Sequence, residues 1–401
     1  MVLTLSYYIY SYQYLGYLPS PFFYDKSDTF MDLFNPMHWS CNGGAYSEWG
    51  AIYPPLSFLF LKFAYLTIGH SDCLTSLNIR ALSPSIMWVV SAFYLFGCMA
   101  VFATKAWRDF TLDRRVLIFI ASLLSTPMLY ALERGNLILL APLFLAIALS
   151  ERRYAQALAL AILINLKPYF ALLLLLYPLK IDFKWGAIAV FFSGFLFLIT
   201  GLLFDDHFFM FFRNIFNFSQ ESSFSGRELI GFPSSISAFS YFLKIPNVFD
   251  VVSKFLNPEV IKQTAELIEV VKWSSIVYAL ITITKKSNLL TEGEVIATLL
   301  VIISNLGVWV GGYILVLYFT LIPILNMMRF RLVYFFILAV IAMPLDLIVL
   351  SSADIGQQYS YLSDSIVNVH WTLGIGSFLR PILNLLLLAL LTYEIFKRKN
   401  F

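Results

Sequence analysis

Three aspartates lie close together near the start of the chain, where a carboxylate could act as a base. Asp25, Asp28 and Asp32 stand in the polar and aromatic segment that follows the first apolar stretch. A carboxylate at a membrane surface can accept the proton of a hydroxyl, and partial burial raises its pKa. Asp28, and Asp32 one helical turn later if the segment is helical, are the candidates for such a base. The alternative is that these acids only solvate a loop.

Four basic residues could bind the phosphate of a leaving group: Arg134, Lys167, Arg213 and Arg227. A leaving phosphate gains negative charge as its bond breaks, so fixed cations near it lower the barrier. Arginine can donate two parallel hydrogen bonds to a phosphate, whereas lysine acts as a point charge. The alternative for each is anchoring of a helix end by snorkelling. Lys167 differs from the others because it interrupts an apolar stretch.

Aromatic residues accompany the acids: Trp39, Tyr46, Trp49 and Tyr53. Their rings could stack on sugars or lipid, and we predict substrate contacts for Tyr46, Trp49 and Tyr53. The alternative is that they anchor the chain at the membrane interface, where Trp and Tyr are common.

Metal and nucleotide sites have little support in the sequence. The four histidines lie far apart, and in Asp205-Asp206-His207 three adjacent side chains cannot easily aim at one ion. A disulfide is conceivable only between Cys41 and Cys73. No phosphate-binding loop or dinucleotide fingerprint is present. We therefore predict no metal, no cofactor and no nucleic-acid partner.

The elements that must position these residues are membrane helices. Of the 401 residues, 60% are hydrophobic and 13% are charged, far from the balance of a water-soluble globule. Long apolar runs match the roughly 30 Å of a bilayer core, and no alternating pattern indicates a barrel. The sequence predicts one all-α polytopic domain over residues 1–401, with about 10 to 13 transmembrane helices.

Basic residues gather in short clusters between the apolar runs, at 105–115, 152–153, 180–184, 285–286, 329–331 and 397–399. The positive-inside rule places these clusters on the cytoplasmic side. The acids fall mostly in other segments, so we predict outer loops at about 19–50, 204–247 and 351–370. The first apolar stretch has no basic leader and no cleavage site, which favours a span over a signal peptide.

The predicted spans follow the apolar runs, and the charged groups sit mainly at their ends. They cover about 2–18, 81–104, 116–132, 136–150, 185–203, 270–284, 294–309, 312–327, 332–350 and 371–395. Residues 154–180 are split at Lys167-Pro168 into two pieces too short to span alone, so we predict a broken helix that lines a cavity. Residues 51–69 are predicted to dip into the interface, because a full crossing there would put a basic loop outside.

Several of these motifs resemble glycosyltransferase family 87 in their order and spacing. An aspartate follows the first span, a glycine-containing turn ends at Tyr46, eighteen residues after Asp28, and Tyr53-Pro54-Pro55 opens the next apolar run. Gly135-Asn136-Leu137 and Lys167-Pro168 match two further family fragments, with Glu133-Arg134 as a departure. The resemblance covers roughly residues 20–180, and it assigns Asn136 to substrate contact. Through the eighteen-residue distance to Tyr46, it implies that Asp28 is the catalytic base, with Asp32 as the second candidate.

This resemblance implies a GT-C bundle of helices with outer loops and juxtamembrane helices. It implies transfer of a mannose-like hexose from a polyprenyl-phosphate sugar to a glycan or glycolipid acceptor, with inversion. The expected location is the plasma (inner) membrane, multi-pass, with the site on the outer or periplasmic face and membrane lipid as a further partner. A flippase or transporter for lipid-linked sugars and an envelope polysaccharide polymerase remain alternatives.

Overall fold

A computed structural model describes most of the chain, and this part is termed the described part. It comprises residues 2–22, 29–66, 73–82, 95, 97, 107, 109–150, 152–205, 207–220, 232–242, 257–307, 310–360 and 362–398. The predicted base Asp28, the predicted cation Arg227 and nearly all of the predicted span 81–104 lie outside these residues.

The described residues are mostly helical. The α-helices are α1 Val2–Leu15, α2 Met31–Asn42, α3 Pro55–Leu66, α4 Ser76–Leu82, α5 Leu112–Leu123, α6 Thr126–Arg134, α7 Ala141–Ala148, α8 Arg153–Leu166, α9 Leu176–Lys180, α10 Phe183–Phe204, α11 Met210–Gln220, α12 Ala238–Phe242, α13 Pro258–Lys285, α14 Glu292–Asn305, α15 Ile322–Asn326, α16 Arg331–Ala342 and α17 Gly376–Phe396. Short 3₁₀ helices cover Leu137–Leu140, Pro168–Leu175, Ser287–Leu289, Gly312–Leu321 and Leu345–Leu347. Two strands, β1 Val349–Ser360 and β2 Ser365–Gly374, complete the set.

The chain forms two compact units. One contains Met1–Thr29, Val116–Tyr130 and Ser223–Phe401, and the other contains Phe30–Arg115 and Ala131–Ser222. In the second unit, α8 lies against α7 and α10, while α2 lies against α3 and α4. In the first unit, α17 lies against α13, α14 and α16.

Three helices in the described part are long and apolar enough to cross a membrane. They are Phe183–Phe204, the segment Lys262–Lys285 of α13, and Gly376–Phe396. α5 and α6 together would make a fourth, and they are bent by 52° at their junction, inside the span predicted at about 116–132. Other predicted spans within the described residues contain shorter helices, including Glu292–Asn305 and Arg331–Ala342. These helices are compatible with a membrane protein.

Local sequence signals explain where several helices begin. The Asp182 carboxylate accepts a hydrogen bond from the Lys184 backbone at 3.0 Å, which caps the start of α10. At the start of α14, Thr291 and Glu294 form a reciprocal capping box. Pro168 stops α8, because proline disfavours helical geometry at the preceding residue and cannot donate to the ladder. The predicted break at Lys167-Pro168 is confirmed.

α13 corrects two sequence-based expectations. Its 28 residues begin well before the span predicted at about 270–284, and the segment that is long and apolar enough to cross a membrane covers Lys262–Lys285. Asn257 caps its start, with its side chain accepting from the Glu259 backbone at 3.0 Å, and Pro258 occupies a favoured first position. Lys272, only 2% exposed, lies near the middle of the apolar segment, whereas charged groups were expected mainly at span ends.

The predicted outer loop 351–370 is a β-hairpin, so the all-α prediction is wrong in this region. β1 and β2 pair antiparallel, from Val349 opposite Gly374 to Ser360 opposite Ser365. The many Ser, Asp and Gln residues of β1 made the segment look like a polar loop. The strand character lies in β2, where β-branched and aromatic residues recur, and cross-strand pairing then stabilises β1.

Candidate functional site

A tight turn joins α6 to the helix that follows it. The start of α2 packs against this turn. Gly135 adopts a left-handed backbone with φ +65°, and a side chain there would come within 2.8 Å of the Leu33 Cβ. The Phe30 backbone donates a hydrogen bond to the Glu133 carbonyl at 2.9 Å. Two segments distant in sequence therefore lie in direct contact, and only glycine fits the turn without strain.

Two side chains of this turn hold the Asp32 carboxylate. The Arg134 guanidinium donates to Asp32 Oδ1 at 2.7 Å, and Asn136 Nδ2 donates to Oδ2 at 2.7 Å. The other end of Asn136 accepts from the Ile138 backbone at 3.0 Å, which caps the 3₁₀ helix that follows. Asn136 thus links the local helix start to Asp32, and its orientation is fixed at both ends.

The surroundings of Asp32 set its protonation state. The Asp32 side chain is 17% exposed and that of Arg134 is 6% exposed. Burial acts to raise the pKa of Asp32, but the charge of Arg134, the hydrogen bonds from Arg134 and Asn136, and the charge of Lys167 together lower it. A raised carboxyl pKa was expected from partial burial, and for Asp32 this is wrong because the ion pair outweighs desolvation.

Lys167 occupies the extended residue between α8 and the next helix. Its ammonium donates to the Tyr53 hydroxyl at 3.1 Å and lies 4.2 Å from the centre of the same ring. The Ser57 hydroxyl donates to the carbonyls of Asn165 and Leu166, at 3.3 and 3.2 Å. The segment that begins at Tyr53-Pro54-Pro55 therefore packs against the break at Lys167-Pro168 and positions the Lys167 ammonium.

The structure brings four of the predicted residues into one charged cluster. Asp32, Arg134 and Asn136 are in direct contact, and the charge of Lys167 acts on Asp32. Arg213 lies exposed on α11 and is not among the described groups that hydrogen-bond to Asp32.

Tyr46 lies in the core and not on an open surface. It is fully buried, with its ring edge-on to Phe58, Phe204 and Phe211. Its hydroxyl donates to the Tyr53 carbonyl at 2.9 Å. Burial first and the charge of Asp205 second raise the pKa of Tyr46 well above its ordinary value.

Trp49 lies half-buried beside the end of α2. Its ring stacks on Trp39, with centroids 6.2 Å apart and planes 11° apart. A disulfide joins Cys41, at the end of α2, to Cys73, just before α4. This is the pairing that the sequence left conceivable.

The metal-like cluster 205–207 is seen in part, since Asp206 lies outside the described residues. The Asp205 carboxylate accepts from the His207 backbone at 2.8 Å, and the His207 ring nitrogen lies 3.6 Å from it. Among the described residues, no group of three or more His, Cys, Asp or Glu side chains could hold a metal ion.

Sequence reasoning missed two residues that build the site. Ser57 fixes the Lys167 break, and Asn214 of α11 donates to the carbonyls of Tyr46 and Ala51 at 2.9 and 3.3 Å. Both are polar residues within apolar surroundings, a signal that could have identified them, because buried polar groups require partners.

Neither a protein-family model, nor a curated protein, nor a solved structure matches this chain.

Proposed function

We propose that the protein is a membrane hexosyltransferase, which transfers a mannose-like sugar from a polyprenyl-phosphate donor to a glycan or glycolipid acceptor. The observation that carries this proposal is the Asp32 carboxylate among Arg134, Asn136 and Lys167. The reaction needs an ionised group to receive a hydroxyl proton and cations to face a leaving phosphate. The cluster supplies both, from three separate parts of the chain.

In this reaction the acceptor oxygen attacks the anomeric carbon, and the bond from that carbon to the phosphate oxygen breaks. The lipid phosphate leaves with the electron pair, and the hydroxyl proton passes to Asp32. Arg134 and Lys167 stabilise the charge that develops on the phosphate. A single displacement inverts the configuration at the anomeric carbon.

The ion pair also suggests how Asp32 becomes a base. In the free protein Arg134 holds Asp32 ionised and lowers its pKa, which makes it a weak proton acceptor. A donor phosphate competes with Asp32 for Arg134 and Lys167. As those cations turn toward the phosphate, the pKa of Asp32 rises and the carboxylate accepts a proton more readily.

The proposed setting is a GT-C-like bundle in the plasma (inner) membrane with the site on the outer face. The Cys41–Cys73 disulfide supports this side, because disulfides persist in oxidising compartments. Clustered cations at Lys285, Lys286 and Arg331 support a cytoplasmic side elsewhere in the chain, by the positive-inside rule.

Transfer from radiolabelled polyprenyl-phosphate mannose by the purified full chain in lipid nanodiscs tests the proposal. We expect Asp32→Asn to lower the rate by about 10²- to 10⁴-fold. Asp109→Asn, an exposed aspartate outside the cluster, should retain the wild-type rate. No transfer by the wild type would overturn the assignment. Full activity in Asp32→Ala would remove Asp32 as the base, and full activity in both Asp28→Ala and Asp32→Ala would remove both candidates.

A second candidate, a flippase for lipid-linked sugars, is favoured by Lys272. Its ammonium lies 2.6 Å from the Glu269 carboxylate and donates to Ser237 at 2.7 Å. Ionisable groups inside a span are characteristic of transport pathways. A flippase would move a fluorescent polyprenyl-phosphate sugar across vesicle membranes without any acceptor, and Lys272→Met would abolish that movement. Transfer without such movement favours the hexosyltransferase.

A further inference from the structure

One face of α2 is half-exposed from Asp32 to Trp39 and carries polar and aromatic side chains. The opposite face is fully buried, through Leu33, Phe34 and Met37. Four half-exposed positions lie on this face at helical spacing: Asp32, Asn35, His38 and Trp39. The stripe therefore runs from the Asp32 cluster at the start of the helix to an aromatic group at its end.

The aromatic group consists of Trp39, Trp49 and His38, and we call it the α2 platform. The two indole rings are stacked with centroids 6.2 Å apart, and the His38 ring lies 5.4 Å from Trp49 at 55°. Both indoles are half-buried, so each retains exposed surface.

Three contacts hold the α2 platform in place. The Cys41–Cys73 disulfide ties the end of α2 to the segment before α4. His38 Nδ1 is hydrogen-bonded to the Leu74 carbonyl at 2.8 Å. Asn214 donates hydrogen bonds to the carbonyls of Tyr46 and Ala51, which lie on either side of Trp49 in the chain.

This rigidity separates the platform from simple membrane anchors. An interfacial Trp lowers the free energy of the chain wherever its ring reaches the headgroup region, so it needs no fixed partner ring. A ligand-binding surface gains affinity when its rings are held before the ligand arrives. Stacked rings bordered by hydrogen-bonding side chains such as Asn35 and His38 suit a sugar, which has an apolar C–H face and polar edges.

We propose that the α2 platform binds a second sugar ring of the acceptor, while the sugar that bears the reacting hydroxyl reaches Asp32. Asp32 and Trp39 are seven residues apart, so they lie on one face of α2 about 10 Å apart along its axis. The acceptor is then a glycan chain of at least two sugars. The inference rests on the proposed function for its identification as an acceptor site, but saccharide binding can be measured without turnover.

The test is a tryptophan-fluorescence titration of the full chain in nanodiscs, with α-linked mannotriose as the probe. We expect Trp39→Leu and Trp49→Leu each to weaken binding about tenfold or more. Trp185→Leu is the matched control, because Trp185 also packs edge-on against an aromatic ring, that of Tyr154 at 4.7 Å. Each variant must keep the Cys41–Cys73 disulfide, which thiol alkylation without reductant shows.

Equal mannotriose affinity in all four proteins would overturn the inference. So would quenching of the Trp39 and Trp49 signal by brominated phospholipids with no response to mannotriose, since the rings would then contact lipid. Saccharide binding at the platform without sugar transfer would overturn the hexosyltransferase proposal and leave a saccharide site. Normal transfer to a glycan acceptor by Trp39→Leu and Trp49→Leu would overturn the platform alone.

Discussion

Arg134 donates to Asp32 across 2.7 Å although the two residues are 102 positions apart in the chain. Asp32 opens α2, and Arg134 ends α6 just before the turn at Gly135. Asn136 donates to the other oxygen of the same carboxylate, and the two hydrogen bonds define the candidate site.

Removing the Arg134 guanidinium should destabilise the protein more than removing an exposed guanidinium. Arg134→Met leaves the part-buried Asp32 charge without its ion-pair partner, and we expect a loss of about 3–5 kcal/mol in the free energy of unfolding. Arg213→Met, at an exposed position, should change it by about 0.5 kcal/mol or less. Denaturant unfolding in detergent measures both, and equal small effects would contradict the role given to the ion pair.

The stabilisation by Asp32 should depend on pH. Because the folded protein lowers the pKa of Asp32, its contribution is complete above the ordinary carboxyl value of about 4 and is lost as pH falls through the lowered folded value. The Tm of wild type should therefore exceed that of Asp32→Asn at neutral pH, and the gap should shrink at acidic pH. A gap that stays constant down to about pH 2 would show that the charge contributes nothing.

Gly135 should tolerate no side chain. Gly135→Ala places a Cβ on a residue with φ +65°, 2.8 Å from the Leu33 Cβ. We expect a destabilisation of about 1–3 kcal/mol and weaker hydrogen bonds from Arg134 and Asn136 to Asp32. Gly194→Ala is the control, because nothing lies within 4 Å of a Cβ there and helical alanine is favoured. Thermal unfolding of both variants gives the comparison, and a neutral Gly135→Ala would disprove the close approach.

Two of the three cysteines should resist alkylation until the protein is reduced. Mass spectrometry of the denatured chain should show two additional alkylated thiols after reductant, at Cys41 and Cys73. The disulfide closes a sequence separation of 32, so its loss in Cys41→Ser should lower stability by about 3–4 kcal/mol. Three alkylated thiols without reductant would show that the bond does not form.

Sequence alone determined the features that depend on composition and local chemistry. The apolar run of α10 predicted a long helix, because a mostly apolar segment of this length must satisfy its backbone hydrogen bonds internally in lipid. Lys167-Pro168 predicted a break for the equally local reason that proline ends a helix. Asp32, Arg134 and Asn136 could be selected as chemically competent, but their mutual contact could not be read from the chain.

Tertiary structure decided everything that depends on which segments meet. The pKa of Asp32 falls below its usual range because Arg134 and Asn136 reach it from a distant turn, whereas burial alone would have raised it. The hairpin Val349–Gly374 forms through cross-strand pairing, which the polar sequence of β1 does not signal. Lys272 lies buried inside α13 because Glu269 and Ser237 satisfy its charge there. Local sequence specifies backbone preference, but the free energy of a charge depends on its neighbours in space, and the fold alone supplies those neighbours.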